Sequence, residues 1–178
     1  MPDQMTKMFD GSANWTFSLY SLAYSSSYSE QDNRQVGRLN ADFSRVNHSV
    51  SQNIQMFDSL SLNIDLGRAR NFDHENNTVF YNNNAAVAVN YTLFGAWQMS
   101  LAASLNKDYD NFGLSTANAF SVNAGVDHQL SLQFSGVDIS GQWYLRYAKQ
   151  RSESADNVFA FNTFSQDWNM TSGLSLTF

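Results

Sequence analysis

Alternation of apolar and polar side chains is the feature that most constrains this chain, and it is clearest in residues 168–178 (WNMTSGLSLTF). Polar or small residues occupy one parity of this segment. The other parity holds Trp168, Met170, Leu174, Leu176 and Phe178. Because successive side chains of a strand point to opposite faces, the segment is predicted to be a β-strand with one apolar and one polar face.

The same two-residue period recurs in eight segments, which are therefore predicted as strands. They are residues 14–24, 36–50, 59–68, 85–93, 97–106, 118–133, 137–148 and 168–178. In the second segment the apolar parity slips near Arg45, which predicts a β-bulge there. Residues 1–12 are predicted to be a polar tail or linker, and they lack the basic start and apolar core of a signal peptide. Residues 13–178 are then the folded domain.

The predicted connections alternate between long and short. Residues 25–35, 69–84, 107–116 and 149–157 are rich in Asn, Asp, Ser and Glu and are predicted as long polar loops. The short connections carry aromatic residues. Short turns on one side and long loops on the other are typical of outer-membrane β-barrels.

Composition narrows the class of protein. The 178 residues carry a net charge of -6, so no basic surface for nucleic acid is expected. Cysteine is absent, which excludes disulfides and thiolate metal sites. Charged residues make up only 15%, below the roughly 25% typical of soluble domains. No apolar run reaches the length of about 18 residues that a transmembrane helix requires.

A transmembrane barrel is favoured over a soluble β-sandwich by strand length and by aromatic placement. The predicted strands of about ten residues match the roughly 9–11 that cross a bilayer at a tilt. Aromatic residues fall into two groups, as expected for two membrane interfaces. The group at the short turns, predicted to form a periplasmic girdle, comprises Trp15, Phe57, Phe94, Trp97, Phe134 and Phe178; the group predicted to form an outer girdle comprises Tyr24, Tyr109, Phe120, Tyr147 and Trp168.

On these features the chain resembles the small, about eight-stranded outer-membrane β-barrel proteins of Gram-negative bacteria. The apolar positions of residues 168–178 are similar to the terminal signal recognised by the barrel assembly machinery of that class, with polar Ser172 as a departure. The resemblance implies an antiparallel up-and-down transmembrane β-barrel in the outer membrane. It also implies outer-membrane lipid, lipopolysaccharide and the assembly machinery as partners.

Charged residues of the polar parity are predicted to face the barrel lumen. They are Arg38, Asp42, Asp65, Asp127, Asp138, Arg146 and Asp167. They form either a salt-bridge network that fills the barrel or a mildly cation-favouring pore. Because many other inward positions are small, an eight-stranded lumen would be underfilled, so the strands are interpreted as a possible part of a wider barrel or of a homo-oligomer.

The function expected from these features is a non-enzymatic, porin-like barrel for passage or export. An adhesive barrel that binds partners through its loops, such as the apolar run 158–161, is the alternative. A rim enzyme acting on lipid is a weaker one, resting on His74 between Asp73 and Glu75. His48 and His128 are expected to be interfacial side chains near the short turns. No cofactor or metal is expected.

Overall fold

The computed structural model describes residues 4–33, 42–134 and 137–177. Within these ranges the chain forms nine antiparallel strands and no helix. The strands are β1 (Gln4–Thr16), β2 (Tyr20–Asn33), β3 (Phe43–Phe57), β4 (Leu60–Asp73), β5 (Thr78–Leu93), β6 (Trp97–Asp110), β7 (Ser115–Phe134), β8 (Val137–Asp156) and β9 (Phe161–Thr177).

The strands form one sheet in which each strand pairs with the next along the chain. The predicted all-β, antiparallel, up-and-down arrangement is therefore confirmed. Among the described residues, β1 and β9 make no contact with each other, and no contacts join strands that are not sequence neighbours. This part of the chain is thus an open, single-layered sheet.

The predicted count of eight strands is wrong, because the described part of the chain contains nine. The segment 14–24, predicted as one strand, contains the connection 17–19 between β1 and β2. Most of the predicted polar tail 1–12 lies in β1, whose 13 residues all pair with β2. Backbone pairing satisfies the polar groups of such a segment regardless of its polar side chains.

The predicted long loops are mostly strand. The polar stretches extend the strands, and the described turns between them are residues 74–77, 111–114 and 157–160. In each case an aspartate, Asp73, Asp110 or Asp156, accepts hydrogen bonds from backbone N–H groups of the turn that follows it. We call this end of the sheet the Asp-turn end and the opposite end, with connections 17–19, 58–59 and 94–96, the Phe-turn end.

Register assigns every paired residue to one of two faces. Paired residues point to the same side, so rows such as Ile64, Val87, Ala103 and Val122 define an apolar face. The predicted bulge near Arg45 is wrong: pairing is continuous from Phe43 to Gln55 and shifts only between Gln55 and Phe57. The parity slip arises because Phe43 lies on the polar face; residues 36–41 lie outside the described residues.

The sheet has almost no interior. Val79 is the one buried apolar residue among those described, and many large side chains of the apolar face are exposed. No helix in the described ranges is long and apolar enough to cross a membrane. The apolar face is thus uncovered by any other part of the chain that the structure describes.

Candidate functional site

Hydrogen bonds between neighbouring strands cover the polar face. Directly opposite pairs include Ser25 with Ser49 at 2.7 Å and Ser104 with Ser121 at 2.7 Å. Ser51 donates to Asp65 at 2.5 Å. Small hydroxyl and amide side chains at paired positions therefore form hydrogen bonds with one another. These side chains are polar and short, so they extend little beyond the sheet.

Asp127 and Arg146 form the strongest charged contact of this face. The two terminal nitrogens of the Arg146 guanidinium donate hydrogen bonds to the two carboxylate oxygens of Asp127, Nη2 to Oδ1 at 2.8 Å. The Gln142 side-chain amide donates to the same carboxylate at 2.9 Å. Asp127 is only 8% exposed, whereas the Arg146 side chain is half exposed. The bidentate pair fixes both side chains against the sheet.

Two glycines make room for long side chains that lie flat on this face. A Cβ at Gly125 would stand 2.6 Å from an Arg146 guanidinium nitrogen and 2.8 Å from the Ser100 hydroxyl. A Cβ at Gly173 would stand 2.5 to 2.6 Å from three atoms of the Tyr144 phenol ring. Arg146 and Tyr144 thus lie flat on the sheet, each over the backbone of a neighbouring strand.

Carboxylates outnumber guanidinium groups on the polar face. Among the described residues, register assigns nine carboxylates to it and two cations, Arg45 and Arg146. The carboxylates are Asp10, Asp65, Asp73, Asp108, Asp110, Asp127, Asp138, Asp156 and Asp167. The face is therefore negative.

Most of the residues predicted to face a lumen lie on this polar face. Register places five there, namely Asp65, Asp127, Asp138, Arg146 and Asp167. Asp42 directly precedes β3, and Arg38 lies outside the described residues.

Part of the predicted periplasmic girdle lies at the Phe-turn end. Trp15 and Trp97 lie on the apolar face beside their turns, and Phe57 ends β3. Phe94 lies in the turn itself with a φ of 52° and is 89% exposed. Phe134 ends β7, where its side chain is not described, and Phe178 lies outside the described residues.

A third tryptophan, Trp143, lies at this end, although it was not among the residues predicted for the girdle. Trp143 is the register partner of His128, which is stacked on Trp97 with ring centroids 4.0 Å apart. The His128 Nδ1 is buried without a hydrogen-bond partner. The predicted position of His48 near the short turns is wrong: it pairs with Arg68 on the apolar face, toward the Asp-turn end, where the Tyr24 hydroxyl contacts its Nδ1 at 3.0 Å. The interfacial role of His48 stays a prediction.

The residues of the predicted outer girdle share the apolar face. They are Tyr24, Tyr109, Phe120, Tyr147 and Trp168. The apolar members of the predicted assembly signal, Trp168, Met170, Leu174 and Leu176, form one row along β9 and are exposed.

Basic residues of the apolar face were missed by the sequence reading. Of the eight Lys and Arg residues described, six lie on that face near the Asp-turn end: Lys7, Arg68, Arg70, Lys107, Lys149 and Arg151. We call these six residues the basic belt. The sequence contains a signal for this placement, because each residue of the basic belt has the same parity as the apolar residues of its strand.

Asp73, one of the two carboxylates that flank the histidine considered for rim chemistry, is occupied by the turn that follows it. The Asp73 carboxylate is engaged by the backbone of residues 75 and 76 and by the Asn76 amide at 2.7 Å. His74 instead packs edge-on against Phe72 at 4.5 Å. In the described ranges no three His, Asp or Glu side chains are grouped as metal ligands would be.

Two turn aspartates have pKa values below the ordinary range for aspartate. Hydrogen bonds from the Asn76 side chain and from the backbone of the turn lower the pKa of Asp73. For Asp110, burial raises the pKa, but hydrogen bonds from backbone N–H groups of residues 112–115 outweigh it, and the net shift is downward. Both carboxylates are therefore held ionised as structural caps.

Comparison with known proteins adds no family: no family model matches the chain, and no curated protein matches it significantly. The class that the structure defines is an all-antiparallel, up-and-down sheet with one polar and one apolar face.

Proposed function

We propose that this sheet is the wall of a transmembrane β-barrel in a bacterial outer membrane, and that it serves the passage or export of solutes without catalysing a reaction. The polar face would line the aqueous lumen, and the apolar face would contact lipid. The observation that carries the proposal is the uncovered apolar face together with the oblique boundary between its apolar and basic residues.

The boundary between apolar and basic residues runs obliquely across the sheet. The cross-strand row of paired residues that contains Lys149 on β8 ends at Trp15 on β1. The basic residue of β1 is Lys7, which lies eight residues from Trp15 toward the Asp-turn end. Eight residues over seven strand steps amount to about 26 Å along the strands for about 34 Å across them. The boundary therefore makes an angle of about 38° with the direction perpendicular to the strands. Strands of outer-membrane barrels tilt by roughly 35–45° from the membrane normal.

Arg68 supports the same line from the middle of the sheet. It lies four residues beyond Ile64, which belongs to the Lys149 row, and so falls between the two extremes. A boundary that is level with a membrane surface must cross tilted strands in this way. The exposed surface of a soluble sheet has no reason to follow such a line.

The height of the apolar band also fits a bilayer. On β6 the band runs ten residues from Trp97 to Lys107, and on β4 eight residues from Leu60 to Arg68. Corrected for the tilt, these lengths correspond to heights of about 26 Å and about 21 Å. The outward apolar band of transmembrane barrels is about 25 Å tall.

The charge of the polar face favours cations as the permeating species. Nine carboxylates against two guanidinium groups attract cations into a water-filled space bounded by a low-dielectric wall. The bidentate contact between Asp127 and Arg146 neutralises one of these carboxylates. The remaining excess is the working surface of the proposed pore.

The first experiment is insertion followed by conductance. The protein is refolded into phosphatidylcholine vesicles and then recorded in planar bilayers under a KCl gradient. We expect cation-selective conductance, reduced selectivity in Asp65→Asn/Asp167→Asn, and unchanged selectivity in the control Glu153→Gln, a carboxylate on the other face. Conductance at the level of leak would refute passage, and a monodisperse protein in detergent-free buffer would refute the membrane location.

The two free edges bear on whether further strands complete the wall. Since the chain has no cysteine, Ala13→Cys on β1 and Ser172→Cys on β9 supply the only two thiols for a short crosslinking reagent. A wider wall predicts no short crosslink within one polypeptide. An intramolecular crosslink at high yield would show instead that these strands close on themselves.

A second function, adhesion through the turns, is favoured by one observation. Asn157 donates its side-chain amide to the Gly113 carbonyl at 2.6 Å, which joins turn 157–160 to turn 111–114. Together these turns expose Phe112, Leu114, Val158 and Phe159, the last of them 80% exposed. Such an apolar tip is typical of contact surfaces. Val158→Ser/Phe159→Ser should abolish retention of protein-bearing vesicles on polystyrene beads if adhesion is the function, while conductance stays unchanged.

A further inference from the structure

The basic belt carries an inference that rests on the proposed membrane location and goes beyond it. We propose that the belt, and above all Arg68, Arg70 and Lys107, binds the phosphate groups of anionic lipids in the leaflet at the Asp-turn end. The belt would thereby fix the depth of the sheet in the bilayer and select the lipids around it.

The belt has more positive charge than its surroundings neutralise. Glu30 pairs with Lys7 at 3.3 Å, and Glu153 pairs with Arg151. No carboxylate among the described residues lies within ion-pair distance of Arg68, Arg70, Lys107 or Lys149. On a protein whose net charge is -6, this local excess of cations calls for an anionic partner.

Arg68 and Lys107 bracket a pair of stacked tyrosines. The Tyr81 and Tyr109 rings lie 4.9 Å apart on neighbouring strands. The Arg68 guanidinium lies 5.5 Å from the Tyr81 centroid, and the Lys107 ammonium lies 5.7 Å from the Tyr109 centroid. Register separates the two cations by two strand spacings, about 10 Å, with Asn83 between them. The rings restrain both cations and leave their remaining N–H donors directed to other partners.

The place of the belt favours a lipid phosphate over a soluble anion. The six cations lie on the face that carries the apolar band, directly beyond that band, along the oblique line described above. Headgroup phosphates occupy this level on a bilayer, just outside the hydrocarbon. The planar guanidinium of arginine suits phosphate oxygens because it can donate two parallel hydrogen bonds.

The test measures lipid association by native mass spectrometry of the full chain folded in neutral detergent. The probes are phosphatidic acid, diacylglycerol with the same acyl chains, and inorganic phosphate. We expect a preference for phosphatidic acid over diacylglycerol that falls on the order of 100-fold in Arg68→Gln/Arg70→Gln/Lys107→Gln. This is about fivefold per side chain, the ratio that corresponds to ~1 kcal/mol per basic residue at an anionic surface.

Two controls separate the belt from general charge effects. Arg45→Gln removes a cation at the same end of the sheet but on the polar face, where Arg45 pairs with Asn71, and should leave the preference unchanged. Arg68→Lys/Arg70→Lys/Lys107→Arg keeps the charge and should retain most of the preference. Equal loss in Arg45→Gln, or full preference in the triple glutamine variant, would overturn the proposal.

The remaining outcomes distinguish the sources of phosphate and the two proposals. Displacement of phosphatidic acid by inorganic phosphate at equal concentration would mean that a free anion is the ligand, and would overturn the assignment to lipid. If the protein inserts into vesicles and conducts but shows no lipid preference, only the proposal that the basic belt binds lipid phosphates is overturned. A protein that needs no detergent or lipid overturns the proposed function first.

Discussion

A pair of leucines on β6 offers a sharp test of the proposal that the apolar face of the sheet contacts membrane lipid. Leu101 and Leu105 share one strand and the apolar face, and they are 52% and 50% exposed. They differ in their distance from the ends of the apolar band. Replacing each with arginine therefore changes the same residue type in the same local surroundings, at two different depths.

The magnitude follows from the tilt and the residue spacing. Leu101 lies four residues from Trp97 and six from Lys107, or about 10 Å and about 16 Å along the membrane normal. Leu105 lies two residues from Lys107, about 5 Å from the boundary. Arginine on the lipid face costs about 2–4 kcal/mol at the midplane and about 0–1 near the interface. We expect Leu101→Arg to cost about 2–3 kcal/mol more than Leu105→Arg, about 30- to 150-fold in the folding equilibrium.

The assay is reversible unfolding in guanidinium chloride with phosphatidylcholine vesicles present. Ala102→Arg, next to Leu101 but on the polar face, is the matched control and should cost less than about 1 kcal/mol. Equal costs for the two leucine variants would contradict the reasoning, since a soluble sheet has no depth coordinate. A greater cost for Ala102→Arg than for Leu101→Arg would show that the polar face, rather than the apolar face, is enclosed against lipid or protein.

Three further changes probe the polar face and the turns. Arg146→Met should cost about 1–3 kcal/mol in the same titration, because the mostly buried Asp127 carboxylate loses its bidentate partner. Gly173→Ala should cost about 1 kcal/mol, because its Cβ collides with the Tyr144 ring, and Tyr144→Ser should remove that cost. Asp110→Ala should cost about 2 kcal/mol at pH 7, because three backbone N–H groups of the turn donate to the Asp110 carboxylate. Since the pKa of Asp110 is lowered by folding, its contribution is present above about pH 3.9 and disappears as the pH falls through the folded value, which unfolding at pH 7, 4 and 2 will check.

The period of two was sufficient to predict that the chain is built of antiparallel strands and to assign most residues of the predicted strands to their faces, although it predicted neither the number nor the length of the strands. Leu60 to Leu66 on β4 and Trp97 to Leu105 on β6 lie on the face that their parity indicates. This works because side-chain direction in a strand is fixed by backbone geometry and does not depend on the partner strand. The all-antiparallel order follows from connections too short for a crossover.

Strand ends could not be predicted from hydrophobicity. The polar stretches after Arg68 and after Asn106 continue as strand because their backbone pairs with a neighbour, whatever the side chains. The informative signal was the aspartate before each turn, followed by a residue with positive φ, such as Asn77 or Gly113. Such residues mark a tight turn, whereas the overall polarity suggested a loop.

Among the predicted site residues, Asp127 and Arg146 were predicted as lumen charges with a salt-bridge network as one alternative, but which of the charges pair was not predicted. The pairing depends on the register between β7 and β8, which places Gly125 opposite Arg146. Parity cannot supply register, because turn geometry and strand ends decide it. The basic belt was missed for a different reason: the strands were predicted to be too short. Four of its residues therefore fall in predicted loops, Lys7 falls in the predicted tail, and Arg68 ends a predicted strand.

The width of the proposed lumen links the glycines to the free edges. Eight antiparallel steps leave β1 and β9 running in the same direction, so a direct contact between them would be parallel, whereas an even number of strands closes with antiparallel pairs throughout. In a barrel of about eight strands, side chains point inward and fill the space. Here Arg146 and Tyr144 lie flat over Gly125 and Gly173. The paired hydroxyl and amide side chains on the rest of the polar face are short and extend little into the proposed lumen. A wall built in this way suits a lumen that contains water, and a water-filled lumen requires more strands than the part of the chain described here supplies.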